Sequence, residues 1–324
     1  MDEADRSDSD GEEKIPVGIS SCLLGEEVRY NGGHKLDRYI RQVLGQYFKF
    51  IPVCPEVAIG LGVPRPPIRL VGDPDAPRAV DVTDPDRDVT EDLAAHGRRM
   101  AGELSGISAY LFKSRSPSCG MERVKVYGDK GAPAGKGQGI YAREIMRANP
   151  LLPVEEEGRL NDPLLRDNFL LRVHVYDRWR RMIARGVTPG ALVEFHSRNK
   201  FLILAHDQQR YRRLGRIVAN AGGGDIEAVA ADYISLLMEA LRKPASRRNQ
   251  ANALMHLAGY FKKLLDSGDR QELADSIEAY RRGERPLLVP LTLLRHHLRR
   301  HPDAYVEAQR YLEPFPRELG GIDR

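Results

Sequence analysis

The chain has 324 residues, of which 41% are hydrophobic and 30% charged. That balance belongs to an ordinary folded protein rather than a disordered or fibrous one, and the length predicts about two domains. The net charge of +4 is modest, and no apolar run approaches the ~20 residues that cross a bilayer, so no membrane partner is expected.

Residues 1–14 hold seven acidic and two basic side chains and no apolar stretch, which predicts a disordered acidic tail rather than a signal peptide. Three cysteines, an odd number, with no secretion signal predict a reducing, cytoplasmic setting. There thiols serve as ligands or nucleophiles more often than as disulfides.

From 15 to 150 strand and helix signals alternate. The run Val17-Gly-Ile-Ser-Ser21 leads into Cys22, and a Gly/Asn turn at 30–33 follows. Leu36, Tyr39, Ile40, Val43, Leu44 and Tyr47 recur at helical spacing and predict a helix over 36–47. Phe48-Lys-Phe-Ile-Pro-Val53 then leads into Cys54. The Pro/Gly-dense stretch 62–77 reads as loop, with short strands at 68–71 and 79–82. A helix over 90–104 precedes a third apolar run, Ile107-Ser-Ala-Tyr-Leu-Phe112, that opens into Lys113-Ser114-Arg115-Ser116-Pro117-Ser118-Cys119-Gly120. A strand at 123–127 and a helix at 139–149 complete the region. Strands separated by helices predict an α/β domain with a mostly parallel sheet.

Residues 151–162, with Pro153 and the acidic run 155–157, read as a linker. Asp162 and Pro163 are placed as N-cap and first residue of a helix. From 163 to 324 every signal is helical, with helices expected at 164–184, 191–205, 208–221, 226–241, 247–265, 270–281 and 291–300. The second domain is therefore read as all-α.

Parallel strands carry their carboxyl ends on one edge of a sheet, so Cys22, Cys54 and Cys119 should converge although 31 and 64 residues intervene. Three thiols with no fourth predict a metal centre that keeps one coordination position open. A 4Fe–4S cluster or a single zinc with a water would both satisfy this, and spacing alone leaves the two open. Glu56 follows Cys54 by two positions, and Ser114 precedes Cys119 by five. A carboxylate beside a Lewis acid can move a proton to or from water, and a hydroxyl can orient substrate. Ser116 and Ser118 share the Ser114 loop and could serve in its place. Arg29, Arg115 and Ser116 are candidate substrate contacts.

The half beyond 158 holds 29 basic and 20 acidic residues. Its arginine pairs at 180–181, 212–213, 247–248 and 299–300 would make a platform for a phosphate-bearing partner if they share a face, with Tyr211 available to stack, and are ordinary solvation if they scatter. Gly131-Ala-Pro-Ala-Gly-Lys-Gly137 lacks the spacing of a phosphate loop and reads as a flexible loop. His296, His297 and His301 have no thiol or acidic partner at ligand spacing, so a core or solvated helix role is expected.

The segments Ser21-Cys22-Leu-Leu-Gly25 through Arg29-Tyr30-Asn31-Gly32, Val53-Cys54-Pro55-Glu56, and Lys113-Ser114 through Cys119-Gly120 resemble the thiouracil desulfidase (TudS) family over about 15–150. Phe195-His196-Ser197-Arg198-Asn199-Lys200, Leu204-Ala205-His206, Tyr211-Arg212-Arg213-Leu214-Gly215, residues 249–263 and the run Pro286 to His297 resemble a YbgA-like domain. Together the halves resemble the two-domain desulfidases that remove sulfur from 4-thiouridine in tRNA. The resemblance implies a 4Fe–4S cluster held by Cys22, Cys54 and Cys119, with Glu56 as acid/base and Ser114 as a helper. It implies hydrolytic replacement of the thiocarbonyl sulfur by oxygen, with release of hydrosulfide. Two rival readings stay open: a desulfidase of free thiouracil bases or nucleosides, and a non-catalytic metal-containing RNA-binding or redox-sensor protein.

Overall fold

The computed structural model describes residues 13–128 and 131–320. Of the acidic tail expected over 1–14, residues 1–12 lie outside the described residues. The chain divides into two compact units between Leu160 and Asn161.

The first unit runs β1 (Ile15–Ser20), a 3-10 turn (Ser21–Leu24), a π-helical turn (Ile40–Leu44) continuing into α1 (Gly45–Tyr47), β2 (Phe48–Val53) and α2 (Pro55–Ala58). Then come β3 (Ile68–Val71), β4 (Arg78–Asp81), α3 (Thr90–Glu103), β5 (Ala109–Phe112), β6 (Val124–Tyr127), β7 (Pro133–Gly137), α4 (Ile140–Ala148) and β8 (Val154–Glu156). The strands form two four-stranded sheets. The first, ordered β2-β1-β5-β8, is parallel throughout. Its central strands are apolar on both faces, as a doubly covered parallel sheet requires: β5 is buried along its whole length. The second, ordered β4-β3-β6-β7, is mixed, with the β3–β6 pair parallel and both edge strands antiparallel.

Four differences from the sequence reading have physical causes. The strand set splits into two sheets because β3 bypasses β1 and pairs with β6, a contact far too distant in sequence for periodicity to reveal. The stripe over 36–47 is a π turn rather than a regular helix, closed by the Gly45 N–H on the Ile40 carbonyl. The wider turn brings Ile40 and Leu44 together into the core at 0% exposure and leaves Leu36 and Tyr39 outside it. The glycine-rich segment expected as a loop instead supplies β7, whose Lys136 and Gly135 pair with Lys125 and Val126 of β6. The stretch 151–162 expected as a linker carries β8, which pairs with β5 from Tyr110↔Val154 to Phe112↔Glu156.

The second unit is helical: α5 (Pro163–Ala184), α6 (Pro189–His206), α7 (Gln208–Ala219), α8 (Ile226–Ala240), α9 (Arg247–Ala258), α10 (Ser267–Arg282), α11 (Leu288–Arg300) and α12 (Ala304–Glu307). Asp162 caps α5 as the sequence predicts, its Oδ1 accepting from the N–H groups of Leu164 and Leu165. All of these helices except α11 begin on an Asp, Thr or Ser whose side chain satisfies an otherwise orphaned N–H. The core holds an aromatic group in which Trp179 stacks on Tyr233 at 5.6 Å and meets Phe195 edge-on at 5.3 Å. His297 is 2% exposed and His296 faces outward, the core and solvated roles expected of them. Among the described residues no helix is long and apolar enough to cross a membrane.

Candidate active site

Each strand of the parallel sheet ends at one edge, and each end delivers a polar group to the same cavity of about 610 Å3. Ser20 closes β1, and the 3-10 turn after it carries Cys22. Val53 closes β2, and Cys54 is the N-cap of α2, with Pro55 and Glu56 in the first turn. β5 opens into Lys113, Ser114 and the loop that ends in Cys119. β8 is followed directly by Glu157. A volume of this size suits a nucleoside-sized ligand. Cys22, Arg29, Cys54, Glu56, Ser114, Arg115, Ser116 and Cys119, all singled out from the sequence, line this one cavity.

The Cys119 loop is held tightly against the start of α4. The N–H groups of Gly139, Ile140 and Ala142 donate to the carbonyls of Gly120, Pro117 and Ser118. A Cβ on Gly139 would lie 2.6 Å from the Ser118 carbonyl, and one on Gly120 would meet the Ser116 carbonyl at 2.8 Å. Both positions therefore need glycine for close approach. Within the loop, Ser116 Oγ accepts from the N–H groups of Ser118 and Cys119 at 3.3 and 3.1 Å, which shapes the turn that presents the thiol. Arg115, in the same loop, has φ +60, a left-handed backbone that costs a non-glycine residue about 1–2 kcal/mol.

Glu56 is fixed at both oxygens. Its Oε2 accepts from Arg65 Nε and Nη2 at 3.0 and 2.7 Å, and its Oε1 accepts from Ser118 Oγ at 2.5 Å. A hydroxyl has one proton, so with Ser118 donating to Glu56, Ser116 Oγ must donate to Ser118 across their 2.9 Å contact. The guanidinium is 4% exposed and the carboxylate 14%, a buried charge-assisted pair. Deleting either partner would strand the other, at a cost of about 3–5 kcal/mol.

Ser114 belongs to a second cluster. Its Oγ donates to Glu157 Oε1 at 2.6 Å, and its N–H donates to Glu157 Oε2 at 2.8 Å. Lys113 Nζ donates to Glu157 Oε1, to Ser114 Oγ and to the Ser114 carbonyl, which uses all three of its protons. Burial works against ionising Glu157, yet these hydrogen bonds and the ammonium hold its carboxyl below the usual range.

The thiols behave in the opposite way. Burial, reinforced by the charge on Cys54 and opposed by Lys113 and Arg29, pushes Cys22 up to about 11. Burial also raises Cys54, against the Val57 N–H, and raises Cys119 further still. Cys119 feels both Cys54 and Cys22, and Cys22 feels Cys54, so the three sulfurs share one electrostatic neighbourhood. Among the described residues no three His, Cys, Asp or Glu side chains close on a single ion. Arg29 lies over the exposed Tyr30 ring at 5.2 Å.

Sequence reasoning did not single out Arg65, Lys113 or Glu157. Arg65 reaches Glu56 from a Pro-rich loop with no regular pattern. Lys113 stands inside a motif whose serine carries the more obvious chemistry. Glu157 lies in the expected linker, and the signal that could have found it is the apolar run Leu151-Leu-Pro-Val154 that leads into β8.

These features define a class: an α/β domain with a thiol-lined cavity at the carboxyl edge of a parallel sheet, followed by a helical domain. Residues 17–157 match the 2-thiouracil desulfurase family, a span that ends at Glu157, and residues 200–316 match DUF1722, a family described as of unknown function. The chain thus belongs to the 2-thiouracil desulfurase family through its first unit and carries a DUF1722, YbgA-like region in its second. It is 41% identical to YbgA of Escherichia coli K12 over 154 residues, 47% of this chain and 91% of that protein. It is 35% identical to YbbK of Bacillus subtilis 168 over 156 residues, 45% of this chain and 98% of that protein. A solved [4Fe-4S]-dependent thiouracil desulfidase, TudS, shares 31% identity over 47% of this chain and 95% of its own, with a TM-score of 0.37.

Proposed function

We propose that the first unit is an iron–sulfur-dependent desulfidase that converts the thiocarbonyl of 4-thiouridine in tRNA to a carbonyl and releases hydrosulfide. The observation that carries this reading is the meeting of Cys22, Cys54, Cys119 and Glu56 on one cavity, inside the span that matches the desulfurase family.

The donor set fits a 4Fe–4S cluster. Three thiols in one neighbourhood, with Cys54 raising Cys22 and both raising Cys119, suit a cationic, thiophilic group that would take them as thiolates. The nearby carboxylates of Glu56 and Glu157 are held by Arg65 and Ser118 and by Lys113 and Ser114, three hydrogen bonds each, which leaves the three thiols as the soft donors of the cavity. Cys22, Cys54 and Cys119 would hold the cluster, whose uncommitted iron supplies a Lewis acid with an affinity for sulfide.

The chain's own residues do the rest. Three hydrogen bonds occupy three of the roughly four lone-pair positions of Glu56, leaving one to take a proton from water. That water's oxygen bonds to the ring carbon as the C=S π pair moves onto sulfur. Glu56 then returns the proton to sulfur, the remaining carbon–sulfur bond breaks with its electron pair leaving on hydrosulfide, and the second water proton passes to solvent as the carbonyl forms. No net electron transfer occurs. Arg29 and Arg115 offer cations to the substrate at the cavity wall. Ser114, pinned by Lys113 and Glu157, acts as a positioning residue. In the helical unit Arg212, Arg213, Arg247, Arg248, Arg299 and Arg300 are exposed, which supports RNA contact there.

The test is an oxygen-free incubation of iron-reconstituted protein with thiolated tRNA and, separately, with free 4-thiouridine. The protein should be brown with about four irons per chain, and thiocarbonyl absorbance should fall for tRNA. Colourless zinc protein with full activity would overturn the cluster. Turnover confined to the free nucleoside would overturn the tRNA substrate.

A further inference from the structure

The outer face of the second sheet carries a charge pattern that the chemistry in the cavity does not use. Ile68, Leu70, Val124 and Val126 are at most 8% exposed and pack with Leu93 and Ile140. Side chains alternate along a strand, so the residues between them project from the opposite face. There three cations stand side by side on three neighbouring strands. Lys125 is paired with Lys136, and the register that sets Leu70 against Val126 sets Arg69 beside Lys125. Like charges directly across from one another weaken strand pairing. A row of three is costly on a bare face and is relieved by an anion lying across it.

A groove of about 900 Å3 follows this face, lined also by Arg115, Arg123 and Tyr127. Among the described residues no acidic side chain lines it. Arg123 has a carboxylate nearby, its sequence neighbour Glu122 at 3.5 Å, with the arginine 73% exposed. Ile68, Arg115 and Pro117 line both this groove and the thiol cavity, so the two adjoin. The Arg69 guanidinium lies over the Tyr127 ring at 5.8 Å, a flat cationic surface of the kind on which bases stack.

We infer that this face is a track for the phosphodiester backbone of an RNA strand whose thiolated base occupies the cavity. The inference rests on the desulfidase reading for the identity of the base, and on the charge row for the backbone. A free thiobase has no phosphate and would leave the row uncompensated, so the track selects a base carried within a strand.

The test uses the full chain with two pairs of substitutions at exposed positions outside the cavity: Lys125→Glu with Lys136→Glu, and the milder Lys125→Gln with Lys136→Gln. Anisotropy of a labelled, unmodified RNA strand is read across a salt series. The glutamate pair should weaken binding about tenfold or more, and the glutamine pair should lower the salt slope by about 1.4, at ~0.7 for each phosphate no longer neutralised. The glutamine pair should also match or exceed the parent's Tm, because it removes the repulsion. Turnover of free 4-thiouridine should not change. Unchanged affinity and slope in both pairs would overturn the inference whatever the enzyme does. Failure to turn over any thiolated substrate would instead sink the desulfidase reading, with the binding result standing independently.

Discussion

The two sheets of the first unit put side chains to work in different ways. The parallel sheet uses its edge: four strands end together, and each contributes polar groups to a single cavity. The mixed sheet uses its face, where period-two alternation spreads cations across neighbouring strands. An edge concentrates unlike groups and so can cut and form bonds. A face repeats like groups at strand spacing, close to ~4.8 Å, and so suits a repeating polyanion. The comparison separates chemistry from grip within one small domain.

Breaking the edge should have the largest effect. Cys22→Ala, Cys54→Ala or Cys119→Ala should each abolish both the brown colour and turnover, and an alanine variant that keeps its irons would remove that residue from the ligand set. Next comes Glu56→Gln, which keeps the side chain's size and its hydrogen bond from Ser118 but leaves the buried Arg65 guanidinium without its carboxylate, so Tm should fall as well. Iron content should hold while kcat falls by about 100-fold or more, as expected for losing a general base. Retained turnover would dismiss Glu56 from proton transfer.

Gly139→Ala sharpens the contrast between scaffold and chemistry. Its methyl would push on the Ser118 carbonyl, costing about 1–3 kcal/mol and displacing the Cys119 loop. A lowered Tm with partial iron loss is expected, whereas Gly106→Ala, where nothing lies within 4 Å of the new Cβ, should leave iron content unchanged.

The smallest effect concerns Glu157. Its carboxyl is held below its usual value in the folded protein, so its contribution to stability is present above the unfolded carboxyl value. That contribution disappears as pH falls through the folded value. The Tm of Glu157→Gln should trail the parent's at neutral pH, and the two should converge in acid. A constant gap at every pH would mean that the effect is not ionic.

Much of this organisation is legible in the chain because it is local. Each thiol follows an apolar run, so the strand-end placement of Cys22, Cys54 and Cys119 can be read residue by residue. The first helix of the second unit announces itself through Asp162, whose side chain accepts the N–H groups the sequence suggests, and Thr188, Asp207 and Asp225 turn out to cap α6, α7 and α8 in the same way. What resists reading is pairing across distance. Nothing near Ile68 says that β3 will lie beside β6, and nothing near Arg65 says that its guanidinium will clamp Glu56. The π turn at 40–44 hides for a different reason: the same apolar residues satisfy a 3.6-residue repeat almost as well.

The short strand β8 sets where the desulfurase half can be cut away from the rest. Cleaving at 150, where the apolar and helical signals pause, would strip the β5 edge and remove Glu157, releasing Lys113 and Ser114 from the carboxylate that holds them. A boundary after Leu160 spares that wall. Fusion, shuffling or domain-transplant experiments should therefore treat residues 151–160 as part of the catalytic body.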